Sequence, residues 1–556
     1  MIQTHTKVHK NLIDLSNEPL FRLIFNGNKK SVRLTIILTI LSSMSSIGMI
    51  FIINMATENA SDTERNVSSF QFALFVVVFL LYFFVKRISF VRSTAIVEGI
   101  VKDLRIRISD KLRFANLESM EKLGLTQIQT RLSNDTQVVS NSAFVIVSAA
   151  QSILMLFFGM LYILYLSRLA FFLSLVCGIS AILVNSYYND TIVEQIDISI
   201  KHDDTFFKSL MNIIKGFKEL KINGKKSDAV IERHSIIARE NEKVRMATNW
   251  VFANSSTLIN SFAYFLLGCI VFIVPQFSDH QSEVVTKIIA VLVFMMSPID
   301  MITAAVPNYS RANRSAFFLE ELEIEIDKMA NYSNYLVKFD FKTFEKVQLK
   351  DIKFHYKGES GEPLFGLGPI DFEINRGELV FIKGGNGSGK STFVKILTHL
   401  YNPDSGTIMV DNTLVSEHNI KNFQNMFAII LTDYHLFDRF YGIENIDFKR
   451  LQTLLDMMGL SSKVKYENGY FSNINLSTGQ RKRLALVMVL MEDKPIYLLD
   501  EWAADQDPQF RQYFYMTLLP ELKSQGKTIL AVSHDDHYFH VADRICNMRL
   551  GVLENQ

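Results

Sequence analysis

Three short motifs in the second half of the chain carry residues suited to phosphate chemistry. They are GGNGSGKST at Gly384–Thr392, LSTGQ at Leu476–Gln480 and YLLDE at Tyr497–Glu501. From average residue usage, the first pattern should occur by chance in roughly 2 of 100 chains of this length. The first and second patterns should occur by chance in the same chain on the order of once in tens of thousands of chains. The motifs together therefore indicate a nucleotide-binding site.

The glycine-rich motif predicts a phosphate-binding loop between a strand and a helix. Leu379–Ile382 has the composition of a buried strand, and Thr392–Leu400 has that of the following helix. Backbone N–H groups at the start of such a helix bind phosphate, while Lys390 supplies a cation to the β- and γ-phosphates and the Ser391 hydroxyl binds Mg²⁺. The predicted nucleotide-binding residues of this loop are Gly384, Gly385, Asn386, Gly387, Ser388, Gly389, Lys390, Ser391 and Thr392.

The third motif predicts the catalytic carboxylates. The apolar run Pro495–Leu499 ends in Asp500 and Glu501, which places both at the carboxyl end of a buried strand, where open α/β sheets bind ligands. Asp500 is predicted to hold Mg²⁺ through water, and Glu501 to act as general base toward the water that attacks the γ-phosphate. The next predicted strand delivers His534 to the same edge, where it is assigned to the γ-phosphate; an ordinary surface histidine is the alternative.

The first half of the chain predicts a membrane domain. An α-helical span takes about 20 mostly apolar residues, and six such runs precede residue 308. Phe72–Val85 is wholly apolar and aromatic, a composition that a buried soluble helix rarely sustains. The six candidate spans are 33–55, 70–90, 142–166, 168–188, 251–275 and 284–307.

The loops between these runs predict the orientation. Lys7–Arg33 and Lys86–Arg131 are rich in Lys and Arg, whereas Thr57–Asn66 is mainly acidic and Pro275–Glu283 contains neither Lys nor Arg. Basic loops face the cytoplasm, so both termini and the nucleotide domain are predicted to lie inside. The polar first thirty residues show no cleavable signal pattern, and the first span is expected to act as an uncleaved anchor.

The length of 556 residues leaves room for one membrane domain and one nucleotide domain. The predicted division is a six-span domain at 1–325, a linker at 326–345 and a nucleotide-binding domain at 346–556. Cys177, Cys269 and Cys546 are far apart and are predicted to be unpaired. The formal net charge of +1 gives no indication of nucleic-acid binding.

The order of motifs over about Val347–Leu553 resembles the ABC transporter family. The resemblance implies a type-IV exporter-like helical membrane domain followed by an α/β P-loop ATP-binding domain, and it implies ATP with Mg²⁺ as cofactors. It also implies that Tyr356 stacks on adenine, although a core role is an ordinary alternative for such an aromatic, and that Asp505 is the D-loop aspartate. Short transverse helices that press on the ATP domain are expected near Asn116–Gly124 and Ile213–Gly224, with solvated charged helices as the alternative.

By the same resemblance LSTGQ is the signature motif, which completes the nucleotide site of the opposite domain. One chain carries one loop and one signature, so a working pair of sites needs two chains around a twofold axis. The residues implied are Leu476, Ser477, Thr478, Gly479 and Gln480.

One position departs from the family pattern. Thr432 stands where the family usually has the Q-loop glutamine. Thr432 and the following Asp433 are both candidate metal-site residues, with Asp433 able to reach the metal instead.

A tract from Leu476 to Ile545 is similar, more narrowly, to the cyclic-peptide and siderophore exporter group, which includes exporters of a pyoverdine precursor, of syringomycin and of a lasso-peptide microcin. The marks of the group within this tract are Thr478, Trp502 with the run Ala503–Pro508, and the pair Asp535–Asp536; Thr432, before the tract, is also similar to the group. This similarity implies ATP-driven export of a cyclic, lasso or siderophore-type peptide across the inner membrane of a Gram-negative cell. The implied partners are a second copy of the chain, the peptide cargo, membrane lipid and a periplasmic or outer-membrane exit partner.

Two alternatives remain open at this point. A lipid or lipid-linked glycan flippase would use the same ATP domain with a different cargo. A non-hydrolysing ATP-gated channel or regulatory subunit is disfavoured, because such proteins often lose the base or signature, and Glu501, His534 and LSTGQ are all present here.

Several polar residues lie in or beside the predicted spans. Asp300 follows Pro298 in the last span, and an ionisable residue inside a membrane is a functional candidate; solvation at the cytoplasmic interface is the alternative. Five amide side chains are predicted either to line a cargo cavity or to bond a neighbouring helix. They are Gln151, Asn185, Asn249, Asn254 and Asn260.

Overall fold

The computed structural model describes residues 18–25, 29–61, 69–277, 281–329, 344–358 and 362–555. The chain divides into two compact units, the first drawn from Met1–Arg113 and Gly124–Lys328, the second from Phe114–Leu123 and Met329–Gln556. Most of the predicted linker 326–345 lies outside the described residues, as do parts of the loops used to predict orientation.

The described part of the first unit is almost entirely helical. In chain order the first ten helices are α1 (Pro19–Phe25), α2 (Lys29–Ser61), α3 (Ser69–Leu112), α4 (Leu117–Leu123), α5 (Leu125–Thr130), α6 (Thr136–Leu166), α7 (Arg168–Lys215), α8 (Phe217–Ile222), α9 (Gly224–Phe272) and α10 (Gln281–Met329). A π-helical turn at Arg131–Asp135 joins α5 to α6, and a 3₁₀ turn at Val274–Phe277 follows α9. All ten belong to the first unit except α4, which belongs to the second.

Six stretches of helix are long and apolar enough to cross a membrane: Ser31–Asn59, Ser69–Leu112, Leu125–Leu166, Arg168–Lys215, Gly224–Phe272 and Glu283–Met329. The six predicted spans are therefore confirmed. Each helix continues well beyond its apolar run; the 44 residues of α3 correspond to about 66 Å at 1.5 Å per residue. α10 remains helical through both Pro298 and Pro307.

The first unit has an apolar interior and a largely apolar surface. Ile163, Ile270, Ile288 and Val291 are fully buried where α6, α9 and α10 pack together. α3, by contrast, leaves large apolar side chains exposed along its first half, including Phe72, Val77 and Phe83. A surface of this kind is expected to face lipid.

The second unit is built on two sheets and a hairpin. The strands are β1 (Lys346–Lys357), β2 (Pro363–Asn375), β3 (Leu379–Lys383), β4 (Ser405–Val410), β5 (Thr413–Leu414), β6 (Phe427–Ile430), β7 (Tyr466–Glu467), β8 (Tyr470–Phe471), β9 (Ile496–Asp500), β10 (Thr528–Val532), β11 (Arg544–Arg549) and β12 (Val552–Asn555). The six-stranded sheet has the order β12-β11-β3-β10-β9-β6 and the four-stranded sheet the order β2-β1-β4-β5. In the larger sheet β11, β3, β10, β9 and β6 run parallel, and only β12 is antiparallel.

The helices of this unit are α11 (Lys390–Leu397), α12 (Ile420–Gln424), α13 (Phe448–Met457), α14 (Thr478–Glu492), α15 (Pro508–Tyr513) and α16 (Leu519–Ser524). Strands β9 and β10 are buried along their whole length, which explains why their sequences are continuous apolar runs rather than alternating ones. Parallel strands bring their carboxyl ends to one edge, so the residues after β3, β9 and β10 meet there.

The short helix α4 folds with the second unit although it precedes the rest of that unit by more than 200 residues. Leu117 packs against the core formed by both sheets. Lys395 Nζ in α11 lies 2.9 Å from Glu121 Oε1, and the Tyr401 hydroxyl donates to the same carboxylate. The predicted domain boundaries did not include this segment in the ATP-binding domain.

Candidate nucleotide site

The glycine-rich loop connects the end of β3 to the start of α11. Gly384 has a φ of 157°, and a Cβ at this position would lie 2.3 Å from the carbonyl oxygen of Met548. Gly389 precedes α11 with a left-handed φ of 106°. A side chain larger than that of glycine would clash or be strained at both positions. The loop backbone can therefore approach the space in front of α11.

A cavity of about 460 Å³ lies beside this loop. Its walls come from the loop, from the end of β9 and from two aromatic side chains of the smaller sheet. The lining residues are Tyr356, Phe365, Asn386, Gly387, Ser388, Gly389, Lys390, Ser391, Thr392 and Glu501. The structure thus brings together most of the residues predicted from the glycine-rich motif, and Tyr356 lines the same cavity; its stacking on adenine stays a prediction.

Phe365 in β2 was not predicted. Its ring lies 6.5 Å from that of Tyr356, and the Tyr356 hydroxyl is 3.1 Å from Thr392 Oγ1. The two rings form an aromatic part of the cavity wall. An aromatic residue in a strand is usually a core residue, so only the pairing of β1 with β2 identifies Phe365 as part of the site.

Phe365→Ala is expected to weaken ATP binding about 3- to 10-fold, since an aromatic stacking contact contributes roughly 0.5–1.5 kcal/mol beyond its buried area. The dissociation constant of a fluorescent ATP analogue measures the effect. Leu364→Ala is the matched control, because Leu364 is the neighbouring residue in β2 and is 69% exposed. Equal affinities of the two variants would contradict the assignment.

Three ionisable groups meet at the carboxyl edge of the sheet. Glu501 follows β9 directly, and its Oε1 lies 3.2 Å from His534 Nε2 and 3.8 Å from Lys390 Nζ. Lys390 is almost fully buried and donates to the carbonyl oxygens of Gly384 and Gly385. A carboxylate held beside a buried ammonium and an imidazole can accept a proton from water while the positive groups face phosphate oxygens.

The Asp500 carboxylate is suited to binding a divalent cation. Its side chain is 2% exposed, Oδ2 accepts a hydrogen bond from Thr432 Oγ1 at 2.9 Å, and Oδ1 has no hydrogen-bond partner among the described residues. Burial raises the pKa of Asp500, while the Thr432 and Ser391 hydroxyls and the Lys390 charge oppose that rise. A buried carboxylate oxygen without a donor, next to a serine hydroxyl, suits Mg²⁺, which prefers few protein oxygens and several waters.

The two Q-loop candidates occupy different places. Both residues are exposed, but Thr432 bonds directly to the Asp500 carboxylate. The geometry therefore favours an indirect role for Thr432, in which it orients Asp500.

Thr432→Val is expected to raise the Mg²⁺ concentration needed for half-maximal ATP hydrolysis about 3- to 10-fold, because it leaves a buried carboxylate oxygen without its donor at nearly constant volume. Titration of Mg²⁺ at fixed ATP measures this shift. Thr432→Ser keeps the hydroxyl and is expected to behave like the wild type; identical Mg²⁺ dependence for the valine variant would exclude the orienting role.

The LSTGQ segment lies apart from this cavity within the chain. α14 begins at Thr478, and Ser477 and Gln480 form a reciprocal capping box at its start. A Cβ on Gly479 would lie 2.8 Å from the Asp505 carbonyl oxygen, so this end of the helix packs tightly on the segment after β9. The structure does not bring Leu476, the other signature residues or Asp505 to the cavity of the same chain, and their contact with nucleotide stays a prediction for a second chain.

A buried lysine joins the signature helix to the catalytic glutamate. Lys482 Nζ donates to the Glu501 carbonyl oxygen at 2.8 Å and lies 2.7 Å from Asp505 Oδ2. The Trp502 indole N–H in turn donates to the Lys482 carbonyl oxygen at 2.8 Å. We call Lys482, Glu501, Trp502 and Asp505 the lysine bridge.

Lys482 was also not predicted, although the sequence contains a signal for it. It precedes Leu486 and Val489 by four and seven positions, which is helical spacing for a single face. Those two residues are buried, as is Lys482 itself. A lysine on the apolar face of a helix needs a buried partner.

Comparisons with known proteins agree with this geometry. The family described as "ABC transporter transmembrane region" matches residues 32–299, and that described as "ABC transporter" matches residues 367–504. The "ATP-binding protein SyrD" of Pseudomonas syringae pv. syringae is 31% identical over 96% of this chain and 95% of its own length. A solved structure described as a bacterial Atm1-family ABC exporter with ATP bound superposes with a TM-score of 0.76 at 15% identity, covering 94% of both chains.

Two further relatives match only part of the chain. An "ATP-dependent lipid A-core flippase" of Vibrio vulnificus is 30% identical over 47% of this chain and 45% of its own length. The "Probable syringafactin export ATP-binding/permease protein SyfD" of Pseudomonas syringae pv. syringae is 33% identical over 35% of this chain and 32% of its own length.

Proposed function

Because this chain belongs to the ABC transporter family and is an ATPase-coupled exporter that passes several times through a membrane, we propose that it exports a cyclic, lasso or siderophore-type peptide from the cytoplasm across the inner membrane. The observation that carries the cargo class is the resemblance of the tract Leu476–Ile545 to the cyclic-peptide and siderophore exporter group. The similarity to SyrD extends over 96% of the chain and supports the assignment of both domains to one ABC protein. The partial similarity to a protein described as a syringafactin exporter supports the same class.

The working form is proposed to be a homodimer with two equivalent ATP sites. The signature residues Leu476–Gln480 lie outside the cavity lined by the glycine-rich loop of the same chain. A second copy supplies them if the two chains meet around a twofold axis. Each site would then contain one chain's Lys390, Asp500 and Glu501 and the other chain's Ser477 and Gly479.

In this proposal the chain's own groups divide the chemistry. Asp500 and Ser391 hold Mg²⁺, which when bound neutralises charge on the β- and γ-phosphates. Lys390 contacts the phosphates, and Tyr356 and Phe365 hold the adenine. Glu501 accepts a proton from the attacking water, and His534 contacts the γ-phosphate. Both termini and the ATP-binding domain lie in the cytoplasm, as the basic loops predict, and an exit partner would carry cargo onward.

The second candidate is a lipid or lipid-linked glycan flippase, favoured by the similarity to lipid A-core flippases over about half of the chain. The two functions differ in what stimulates ATP hydrolysis and what crosses the bilayer. The third candidate, a non-hydrolysing channel, is inconsistent with an ATPase-coupled exporter.

Reconstitution distinguishes these candidates. The protein is placed in vesicles, and ATP-dependent movement is measured for a labelled cyclic peptide, a labelled lasso peptide and a labelled phospholipid. Peptide movement without lipid movement supports the proposal. Lipid movement without any peptide movement would replace it with the flippase.

A further inference from the structure

A carboxylate and an amide pair between the last two candidate spans. The Asn260 side chain of α9 donates to Asp300 Oδ1 of α10 at 2.8 Å. Among the described residues no cation forms an ion pair with Asp300; along the chain, Lys287 pairs with Glu58 and Arg314 with Asp197, and Arg311 lies eleven positions further along the helix. The carboxylate therefore has an amide partner and no cationic partner among the described residues.

Asp300 lies within the apolar part of its helix. It is sixteen residues after the start of the predicted span 284–307, or about 24 Å at 1.5 Å per residue, which is inside a hydrocarbon core about 30 Å thick. Its side chain is exposed on the surface of the chain. An unpaired carboxylate facing lipid at this depth is costly, so it is expected to face water or another polar group.

The residues around the pair extend this polar surface. Ser297 lies on the same face of α10 as Asp300, and Thr257 and Ser261 flank Asn260 on α9; all three are exposed. The exposed face of α3 differs, since Phe72, Val77 and Phe83 are apolar. The polar surface is local to the Asn260–Asp300 pair, because exposed apolar side chains such as Tyr264 and Val293 lie one and two helical turns away from it on the same helices.

We propose that Asp300, oriented by Asn260, binds a cationic group of the cargo, a primary ammonium or a guanidinium. This inference rests on the proposed peptide export and narrows its substrate class to peptides that carry a positive charge. The single bond from Asn260 leaves acceptor sites on the carboxylate, and a charge-assisted bond to a cation is roughly twice as strong as a neutral hydrogen bond. Asn260 fixes the carboxylate without neutralising it.

The test uses two cyclic peptides that differ in one group. One contains a lysine and the other contains acetyl-lysine in the same ring. Stimulation of ATP hydrolysis is titrated with each peptide for the full-length wild type, Asp300→Asn and Asp228→Asn in phosphatidylethanolamine–phosphatidylglycerol nanodiscs. Asp228→Asn is the matched control, because it removes the same charge from an exposed position of α9 outside the predicted span.

The wild type and Asp228→Asn are expected to respond to the lysine peptide at a concentration at least about tenfold lower than to the acetylated peptide. In Asp300→Asn this ratio should fall to near one. An unchanged ratio in Asp300→Asn would overturn the inference. A thermal unfolding midpoint and elution volume equal to the wild type show that Asp300→Asn is folded and assembled; a change to a smaller species would instead assign Asp300 to the contact between chains and overturn the cargo site.

A charge reversal provides an independent readout. Asp300→Lys should prefer a ring with glutamate over the same ring with glutamine, whereas the wild type should not. Stimulation of the wild type by the lysine and acetyl-lysine peptides at equal concentrations defeats this inference alone. Absence of stimulation by any peptide, with stimulation by phospholipid, defeats the proposed peptide export and this inference with it.

Discussion

Glu501→Gln should hydrolyse ATP at least about 100-fold more slowly than the wild type, because general-base catalysis contributes roughly 10²- to 10⁴-fold. The amide keeps the shape of the side chain but cannot accept a proton from water. Affinity for ATP should change by less than about threefold, since Lys390 and the glycine-rich loop, which form most of the cavity wall, are intact. Phosphate release and binding of a fluorescent ATP analogue measure the two quantities on one preparation.

Glu521→Gln is the matched control for this variant. Glu521 lies in α16 with an exposed side chain, so the same chemical change there should leave hydrolysis within about twofold of the wild type. Peptide export in vesicles should disappear in Glu501→Gln together with hydrolysis. Normal export by this variant would contradict both the assignment of the base and the coupling of hydrolysis to transport.

Lys482→Met is expected to lower the turnover number for ATP about tenfold while changing affinity for ATP by less than about twofold. Methionine fills the buried space of the lysine stem but removes the donor to the Glu501 carbonyl and the partner of Asp505. The substitution should also lower the free energy of unfolding by roughly 1–3 kcal/mol. The ion pair contributes little to this loss, because Asp505 is partly exposed to solvent. For a domain of this size that corresponds to an unfolding midpoint lower by about 2–10 °C.

The split between turnover and affinity distinguishes positioning from structure. Hydrolysis is therefore measured well below the unfolding midpoint, with Lys482→Arg as the variant that keeps a buried cation. Partial recovery of turnover by arginine supports a role of the lysine bridge in orienting Glu501. Full turnover in Lys482→Met at low temperature, despite reduced thermal stability, would show that Lys482 only stabilises the fold.

Much of this architecture follows from the sequence because it depends on local patterns. The six spans are long apolar runs, and hydropathy alone determines that they are helices long enough for a membrane. The glycine-rich loop and the Asp500–Glu501 pair are also local, since their spacing fixes them at a strand–helix turn and at a strand end. The predicted helix 392–400 begins two residues earlier, at Lys390, a shift typical of helix boundaries.

The features that the sequence did not predict depend on contacts between distant segments. Phe365 joins the site only because β2 pairs with β1 beside Tyr356. Lys482 reaches Glu501 and Asp505, which are 19 and 23 positions away, across a helix–loop contact that no short pattern encodes. The place of α4 in the ATP-binding unit, more than 200 residues before the rest of that unit, is the most distant such contact.

The early position of α4 has a consequence for biosynthesis. Its Glu121 meets Lys395 and Tyr401, which leave the ribosome about 280 residues later. At roughly 5–20 residues per second, this interval is about 15–55 s. During that time Leu117 has no core to pack against, so the nascent ATP-binding unit is incomplete until it packs on a segment that was synthesised much earlier. Docking of α4 is therefore a folding step of the ATP-binding unit itself.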